Sequence, residues 1–345
     1  MATCFRLEAF GRPLAPVSCE PATPQGSEVL LRVGACGVCH SDLHLADGFF
    51  DLGGNARLDL TRGINPPRVL GHEIAGEVIA VGPEATGVAI GDRRVVYPWI
   101  GCGSCAVCAA GDEHLCARGR ALGINRDGGF ASHVLVPHPR TLVDYAPLPE
   151  ALAATFACSG LTAYGALQKV GPLAAEDRLL IIGAGGVGLA AVTLAKTLIA
   201  APVTVADIDP AKRQTALAAG AAAAVDPRDD TATRTLANVA AVIDFVGAGT
   251  TLELALASVR RGGTVVVVGL FGGSARVSVP LLPLKATRIV GSYVGSLAEF
   301  GALMALARAG RAHAIPITPY PLAQANDVLA ALKAGTITGR AVLNP

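Results

Sequence analysis

Four cysteines crowd one short stretch of this chain, Cys102, Cys105, Cys108 and Cys116, with the spacing C-x2-C-x2-C-x7-C in a glycine-rich segment. Four thiolates fill a tetrahedral zinc shell and leave no open position, so a zinc held there is structural rather than catalytic. Four cysteines also serve iron–sulfur clusters, although this stretch lacks the runs usual in ferredoxins. Nine cysteines in a chain of 345 residues with no export signal point to metal ligands rather than disulfides.

A second group is built for phosphate. Gly183, Gly185 and Gly188 form G-x-G-x-x-G, with Gly186 and Val187 inside the turn, directly after an apolar run and at the start of a helix-like segment. In that context the first glycine makes the turn, the second lets the backbone approach a pyrophosphate, and the third allows close helix packing. The helix start adds free N–H groups and a positive dipole. Asp207 stands nineteen residues after Gly188 at the end of the next apolar run. A carboxylate there accepts hydrogen bonds from both adenosine ribose hydroxyls and repels a 2′-phosphate, which favours NAD over NADP. The plainer alternative makes Asp207 the first residue of a turn with Asp209 and Pro210.

These groups need elements to hold them. From Arg178 to about Ser292, candidate strands Leu179 to Ile182, Val203 to Ala206, Ala222 to Val225, Ala241 to Phe245 and Thr264 to Val268 alternate with helical segments. That alternation predicts a doubly wound parallel sheet. Before Tyr145, turns rich in Gly and Pro separate short β-like runs, which predicts a mostly antiparallel β domain. The expected division is 1–154, 155–295 and a segment 296–345 that returns to the first domain. With 28 basic against 27 acidic side chains and a formal charge of +1, the chain has no field for nucleic acid or anionic lipid. The uncharged run Leu179 to Ala195 is broken by glycines into strand, turn and helix, so no membrane span is expected. Met1 to Phe10 has no apolar stretch of the secretory kind, and a cytoplasmic location is expected.

Further motifs carry a resemblance. Gly37-Val38-Cys39-His40-Ser41-Asp42-Leu43-His44, then Gly71-His72-Glu73, the cysteine lobe, Cys158-Ser159-Gly160-Leu161-Thr162 and the glycine turn occur in that order. The chain resembles the zinc-dependent medium-chain alcohol dehydrogenases over nearly its whole length. It looks most like the bacterial and archaeal tetrameric NAD-dependent branch, through Tyr97-Pro98-Trp99, Leu122-Gly123-Ile124-Asn125 and Gly269-Leu270-Phe271-Gly272. The resemblance implies a GroES-like catalytic domain at 1–154, a Rossmann NAD-binding domain at 155–295, and two zinc ions per chain. Spacing alone does not join Cys39, His72 and Cys158; the resemblance makes them the catalytic zinc ligands. Asp42 resembles the carboxylate that orients the zinc-binding histidine. Glu73 resembles an acidic neighbour of the metal, with an ordinary buried ion pair as the alternative. His40 matches a cofactor pyrophosphate contact and Lys212 an adenosine ribose contact.

The implied reaction is hydride transfer between an alcohol, or its aldehyde or ketone, and NAD, with the metal as Lewis acid. Ser41 and His44 match a relay that carries the alcohol proton to solvent; the bland alternative leaves them as turn and surface residues. Trp99 and Leu122 match the substrate pocket, or else Trp99 merely packs the lobe. One Trp and few nearby charges favour a hydrophobic alcohol. A polyol or sugar dehydrogenase of the same superfamily, or a redox-inactive structural relative, would be the competing readings. Between Cys39 and His72 lie 32 residues, with a surplus around Phe49 to Asn65 that suits a substrate entrance, a subunit contact or a surface insertion. A homotetramer is implied, with 264–293 supplying exposed strands for pairing.

Overall fold

In the computed structural model, which describes residues 2–313 and 315–345, the second half of the chain builds a six-stranded sheet. Its strands are Leu179–Ile182, Val203–Ala206, Ala223–Val225, Val239–Asp244, Val259–Val267 and Arg288–Gly291. In space they run 223–225, 203–206, 179–182, 239–244, 259–267, 288–291, with every neighbouring pair parallel. The chain starts at a central strand, winds to one edge, then returns to wind toward the other. Ligands of such sheets bind where that reversal opens a crevice at the strands' carboxyl ends. Leu179–Ile182 is buried at every position, as a strand covered by helices on both faces must be.

The first half forms a largely antiparallel sheet around Val29–Gly37, which pairs with Glu73–Val81 and His133–Val136. The chain's end rejoins it: Ile317–Pro321 pairs with Arg340–Asn344, which pairs with Val29–Gly37. Helix Ala325–Lys333 sends Val328, Leu329 and Leu332 into the core that holds Leu31, Ile74 and Phe130. Helix Leu297–Arg308 buries Phe300, Leu303 and Met304 in a different core, shared with Leu161 and Leu189. Among the described residues no helix is long and apolar enough to cross a membrane.

Two features differ from expectation. The surplus between Cys39 and His72 is a hairpin of Phe49–Gly53 and Ala56–Asp59. Its turn residues Gly54 and Asn55 both have positive φ, 58° and 66°, the backbone of a two-residue hairpin turn. The hairpin reaches the other domain, where Gly273 N–H donates to the Asp51 carbonyl at 3.4 Å. Secondly, Cys4 and Cys19 are joined in a disulfide, so the expectation that cysteines here serve metal alone is corrected. Cys4 lies in Thr3–Leu7, and Cys19 follows its antiparallel partner Ala15–Ser18. That pairing brings the two sulfurs together.

Candidate active site and metal centres

Cys102, Cys105, Cys108 and Cys116 converge so that their sulfurs all lie within 4.8 Å of one another. Cys105 Sγ is 3.5 Å from Cys108 Sγ and 3.8 Å from Cys116 Sγ, and Cys102 Sγ is 4.0 Å from Cys108 Sγ. The edge of a tetrahedron with zinc–sulfur bonds of about 2.3 Å is about 3.8 Å. The set fits one zinc ion and is too tight to enclose an iron–sulfur cube. Backbone and hydroxyl hydrogen bonds from Ser104 hold the Cys102 thiol down to about 5, and Arg118 donates to its sulfur at 3.4 Å. Glu113 ties the lobe to the domain by accepting from Arg140 Nη2 at 2.7 Å and Gly101 N at 3.3 Å.

Cys39, His72 and Cys158 come together from three distant places. Cys39 ends Val29–Gly37's loop as the N-cap of helix His40–Asp47. His72 follows Gly71, whose φ of +89° and crowding against Phe130 and Cys36 exclude a side chain. Cys158 sits in a π-helical turn, Phe156–Gly160, between helices Glu150–Thr155 and Leu161–Lys169; such bulges recur at functional sites. The two sulfurs and a ring nitrogen lie within 4.8 Å of one another, and all three residues are buried. Neither His72 nitrogen has a hydrogen-bond partner among the described residues. Hydrogen bonding from Cys158 pushes the Cys39 thiol down, while Cys39 and burial push Cys158 up. Two thiols able to ionise on a metal and an imidazole with a nitrogen to spare, buried together, fit a zinc ion that leaves a fourth position open.

Asp42 organises this set. Its Oδ2 accepts from Cys39 N at 2.9 Å, its Oδ1 from Gly71 N at 3.3 Å, and Oδ1 stands 3.4 Å from His72 Nδ1. Glu73 is half of a buried ion pair with Arg340, and its Oε1 accepts from Ser159 N at 3.1 Å. Burial raises the Glu73 carboxyl and Arg340 opposes that rise. Ser41 Oγ is 3.6 Å from Cys39 Sγ. His44, one helical turn on, sets its ring 4.7 Å from that of Phe50 in the hairpin.

The glycine turn has the crowding its motif requires. A Cβ on Gly188 would strike the Gly183 carbonyl, whereas one on Gly185 would meet open space. Helix Gly186–Leu198 starts there with Gly185 as N-cap and Val187 in its first turn. Asp207 accepts from Ala184 N at 2.7 Å and Asp209 N at 2.8 Å, so it is anchored against the turn. Arg213 and Arg228 flank this corner but are committed to Asp226. Lys212 Nζ is 3.9 Å from Asp209. Desolvation lowers the His40 pKa, and the charges of Arg340 and Lys212 act in the same direction. Arg340 of the last strand and Lys212 of the second domain thus both act on His40.

Arg340 is the site residue that motif reading missed. It is 4% exposed, and its Cδ crowds Gly186 at the start of the phosphate-type helix. It belongs to the chain's last strand, far from every motif, and no local spacing signals it.

Trp99 is buried with its ring 5.3 Å from His72 and its Nε1 donating to Ala157 O at 3.0 Å. Leu122 is placed otherwise: at 1% exposure it belongs to the core of the first domain. Its neighbours Ala121 and Ile124 line the cavity beside Trp99.

Residues 25–149 match the alcohol dehydrogenase GroES-like domain, and residues 186–309 match the zinc-binding dehydrogenase family. The chain is 38% identical to an NAD-dependent alcohol dehydrogenase of Sulfurisphaera tokodaii, over 99% of each chain. The crystal structure of the alcohol dehydrogenase from Aeropyrum pernix superposes with a TM-score of 0.89 at 30% identity, covering 99% of this chain and 100% of that one. A cobalt- and zinc-bound thermostable alcohol dehydrogenase from Pyrobaculum aerophilum gives 0.87 at 29% identity, covering 100% and 99%. With its two thiol-rich donor sets, its glycine turn and these likenesses along its full length, the chain belongs to the zinc-binding, medium-chain alcohol dehydrogenases.

Proposed function

We propose that this protein oxidises primary or secondary alcohols, and reduces the matching aldehydes or ketones, with NAD as its coenzyme and two zinc ions per chain. The observation that carries this reading is the buried convergence of Cys39, His72 and Cys158, with donor atoms within 4.8 Å. When bound, zinc supplies the Lewis acid that acidifies an alcohol proton, and NAD supplies the hydride acceptor. Two thiolates and a neutral imidazole match the charge of a divalent cation. Asp42 keeps the imidazole oriented through Nδ1, leaving Nε2 for the metal. Glu73 and Arg340 neutralise each other beside it. Ser41 is placed to take the substrate's hydroxyl proton, and His44, on the same helical face, to release it to solvent. The turn 183–188, Arg340, His40 and Lys212 would hold the dinucleotide, and Asp207 its adenosine ribose.

A homotetramer is part of this proposal. The edge strand Arg288–Gly291 leaves Ile289 41% exposed, and Leu281 and Leu284 beside it are 52% and 66% exposed, an apolar edge suited to another copy. The cytoplasm, where thiols stay reduced, suits six cysteines offered to metal; there the Cys4–Cys19 pair would be open to reduction. The test is a screen of primary, secondary and aromatic alcohols with NAD and NADP in parallel. NADH formation from several alcohols, and much less NADPH, is expected. No turnover of any alcohol by zinc-replete protein would overturn the reading.

A further inference from the structure

The corner proposed for the coenzyme's adenosine ribose holds more charge than one carboxylate. Val203–Ala206 and Ala223–Val225 are parallel neighbours with Ala206 beside Val225, and Asp207 N donates to the Val225 carbonyl at 3.2 Å. Asp207 and Asp226, each the first residue after its strand, therefore stand side by side at the carboxyl end of the sheet. Two arginines reach the same place. Arg213, from helix Pro210–Ala219, donates through Nη1 to the Asp207 carbonyl at 2.7 Å and to Asp226 Oδ2 at 3.2 Å. Arg228 donates through Nη2 to the Ile208 carbonyl at 3.1 Å.

Both guanidinium groups thus touch the backbone of the ribose acid or of the residue after it. Guanidinium is the side chain best matched to phosphate, because its fork of donors pairs with two oxygens at once. By position alone these arginines would attract the 2′-phosphate of NADP where Asp207 repels it. Asp226 occupies them instead. Arg228 grips it as a fork, Nε to Oδ1 at 2.9 Å and Nη2 to Oδ2 at 2.7 Å, and Arg213 shares Oδ2. Those hydrogen bonds from Arg228 hold the Asp226 carboxyl well below the ordinary carboxylate range, so it stays ionised near neutral pH. A single exposed ion pair is worth little, but one carboxylate holding two guanidinium groups with bidentate geometry is a network. The Arg228 side chain is 67% exposed, so packing would not keep it from a phosphate once that carboxylate were neutral.

We infer that Asp226 is a second determinant of coenzyme choice, which withholds Arg213 and Arg228 from the 2′-phosphate of NADP. The inference rests on the reading of Asp207 as the ribose acid and deepens it. Asp207 supplies repulsion, and Asp226 removes the attraction that would offset it; discrimination against a competitor uses both kinds of element. It follows that neutralising Asp207 alone leaves the arginines committed, and that the two changes together shift the preference further than either one.

The experiment measures by calorimetry, on the zinc-replete full chain, the Kd of 5′-AMP and of adenosine 2′,5′-bisphosphate, which differ only in the 2′-phosphate. Alongside it, kcat/KM is taken with NAD and NADP for the best alcohol. The wild type should bind 5′-AMP more tightly and favour NAD. Asp226→Asn should move the ratio of the two affinities toward the bisphosphate by about tenfold, the effect of one charge-assisted hydrogen bond gained. The NADP-to-NAD ratio of kcat/KM should move the same way, through KM. Asp226→Glu, which keeps the charge, should return the ratio toward that of the wild type. Adding Arg213→Gln and Arg228→Gln to Asp226→Asn should remove the gain, and raising the salt concentration should shrink it. Each ratio is taken within one protein preparation, so a poorly folding variant does not mimic the effect, and a purely structural role for Asp226 would weaken both nucleotides alike. An unchanged ratio in Asp226→Asn, or a gain that survives loss of both arginines, overturns the inference and leaves Asp207 and the dehydrogenase reading standing. A wild type that binds neither 5′-AMP nor NAD overturns the coenzyme site and, with it, the inference.

Discussion

Asp42 and Glu73 are both buried carboxylates beside the same histidine, yet their partners give them different work. Asp42 accepts from two backbone N–H groups and faces His72 Nδ1, so it aims a ligand. Glu73 is engaged by Arg340 and Ser159 N, so it balances charge. Asp207 accepts two backbone hydrogen bonds, which makes Asp207→Asn the cleaner change, since it removes charge while keeping one acceptor oxygen. That variant should lose about tenfold to a hundredfold in kcat/KM with NAD, the worth of a charged hydrogen bond, and narrow the gap to NADP. Equal efficiency of the wild type with both coenzymes would count against Asp207 as the ribose acid. His44 is partly desolvated, which lowers its pKa below the ordinary value. It therefore stays neutral, and able to accept a proton, to lower pH than a free histidine of pKa about 6.5. The acid limb of alcohol oxidation should accordingly fall below about pH 6.5. His44→Gln should slow oxidation by about tenfold or more, chiefly at lower pH, with partial rescue by small buffer bases. Ser41→Ala should abolish most turnover with zinc retained. Unchanged pH–rate profiles in both variants would remove the relay.

At the scale of elements, the cysteine lobe is a loop with little core of its own, and its only helices are Ala106–Ala109 and Glu113–Leu115. None of Ala106–Ala109 is buried, so metal ligation and the Glu113–Arg140 pair hold it. Cys105→Ser should lower the Tm by about 5 °C or more through loss of the structural ion, while the catalytic set remains intact; an unchanged Tm with zinc lost from the lobe would show that the lobe is held by other contacts. The lobe and the glycine turn were legible in the sequence because each is local. Four thiols sit within one loop, and the turn lies between an apolar run and its helix. The parallel strands were legible for a related reason: Leu179–Ile182 and Val203–Ala206 are buried on both faces and read as continuous apolar runs. The hairpin 49–59 was missed although Gly54-Asn55 is a hairpin turn signal, since its strands are mostly exposed and lack an alternating pattern. The gathering of Cys39, His72 and Cys158 was legible only by resemblance. It depends on a π turn and on the pairing of Val29–Gly37 with Glu73–Val81, neither of which has a local signature. Arg340 had no signal at all, because its meaning comes from the return of the last strand to the first sheet.

At the scale of the whole molecule, both domains contribute residues to the proposed site, and the chain's end links them. His40 and the thiol set come from the first domain, the glycine turn and Lys212 from the second, and Arg340 touches both through Glu73 and Gly186. The hairpin adds a bridge, from Phe50 against His44 to Asp51 on Gly273. Everything proposed for the chemistry depends on there being two kinds of metal site, one closed by four sulfurs and one left open by three donors. The most direct test is zinc content per chain, measured by elemental analysis on wild type and Cys158→Ser alongside NADH formation from the best alcohol. The account predicts two zinc ions and turnover for the wild type, and for the folded variant one zinc ion with turnover lost. Full activity in Cys158→Ser, or a wild type that turns over with one zinc or none, would contradict it.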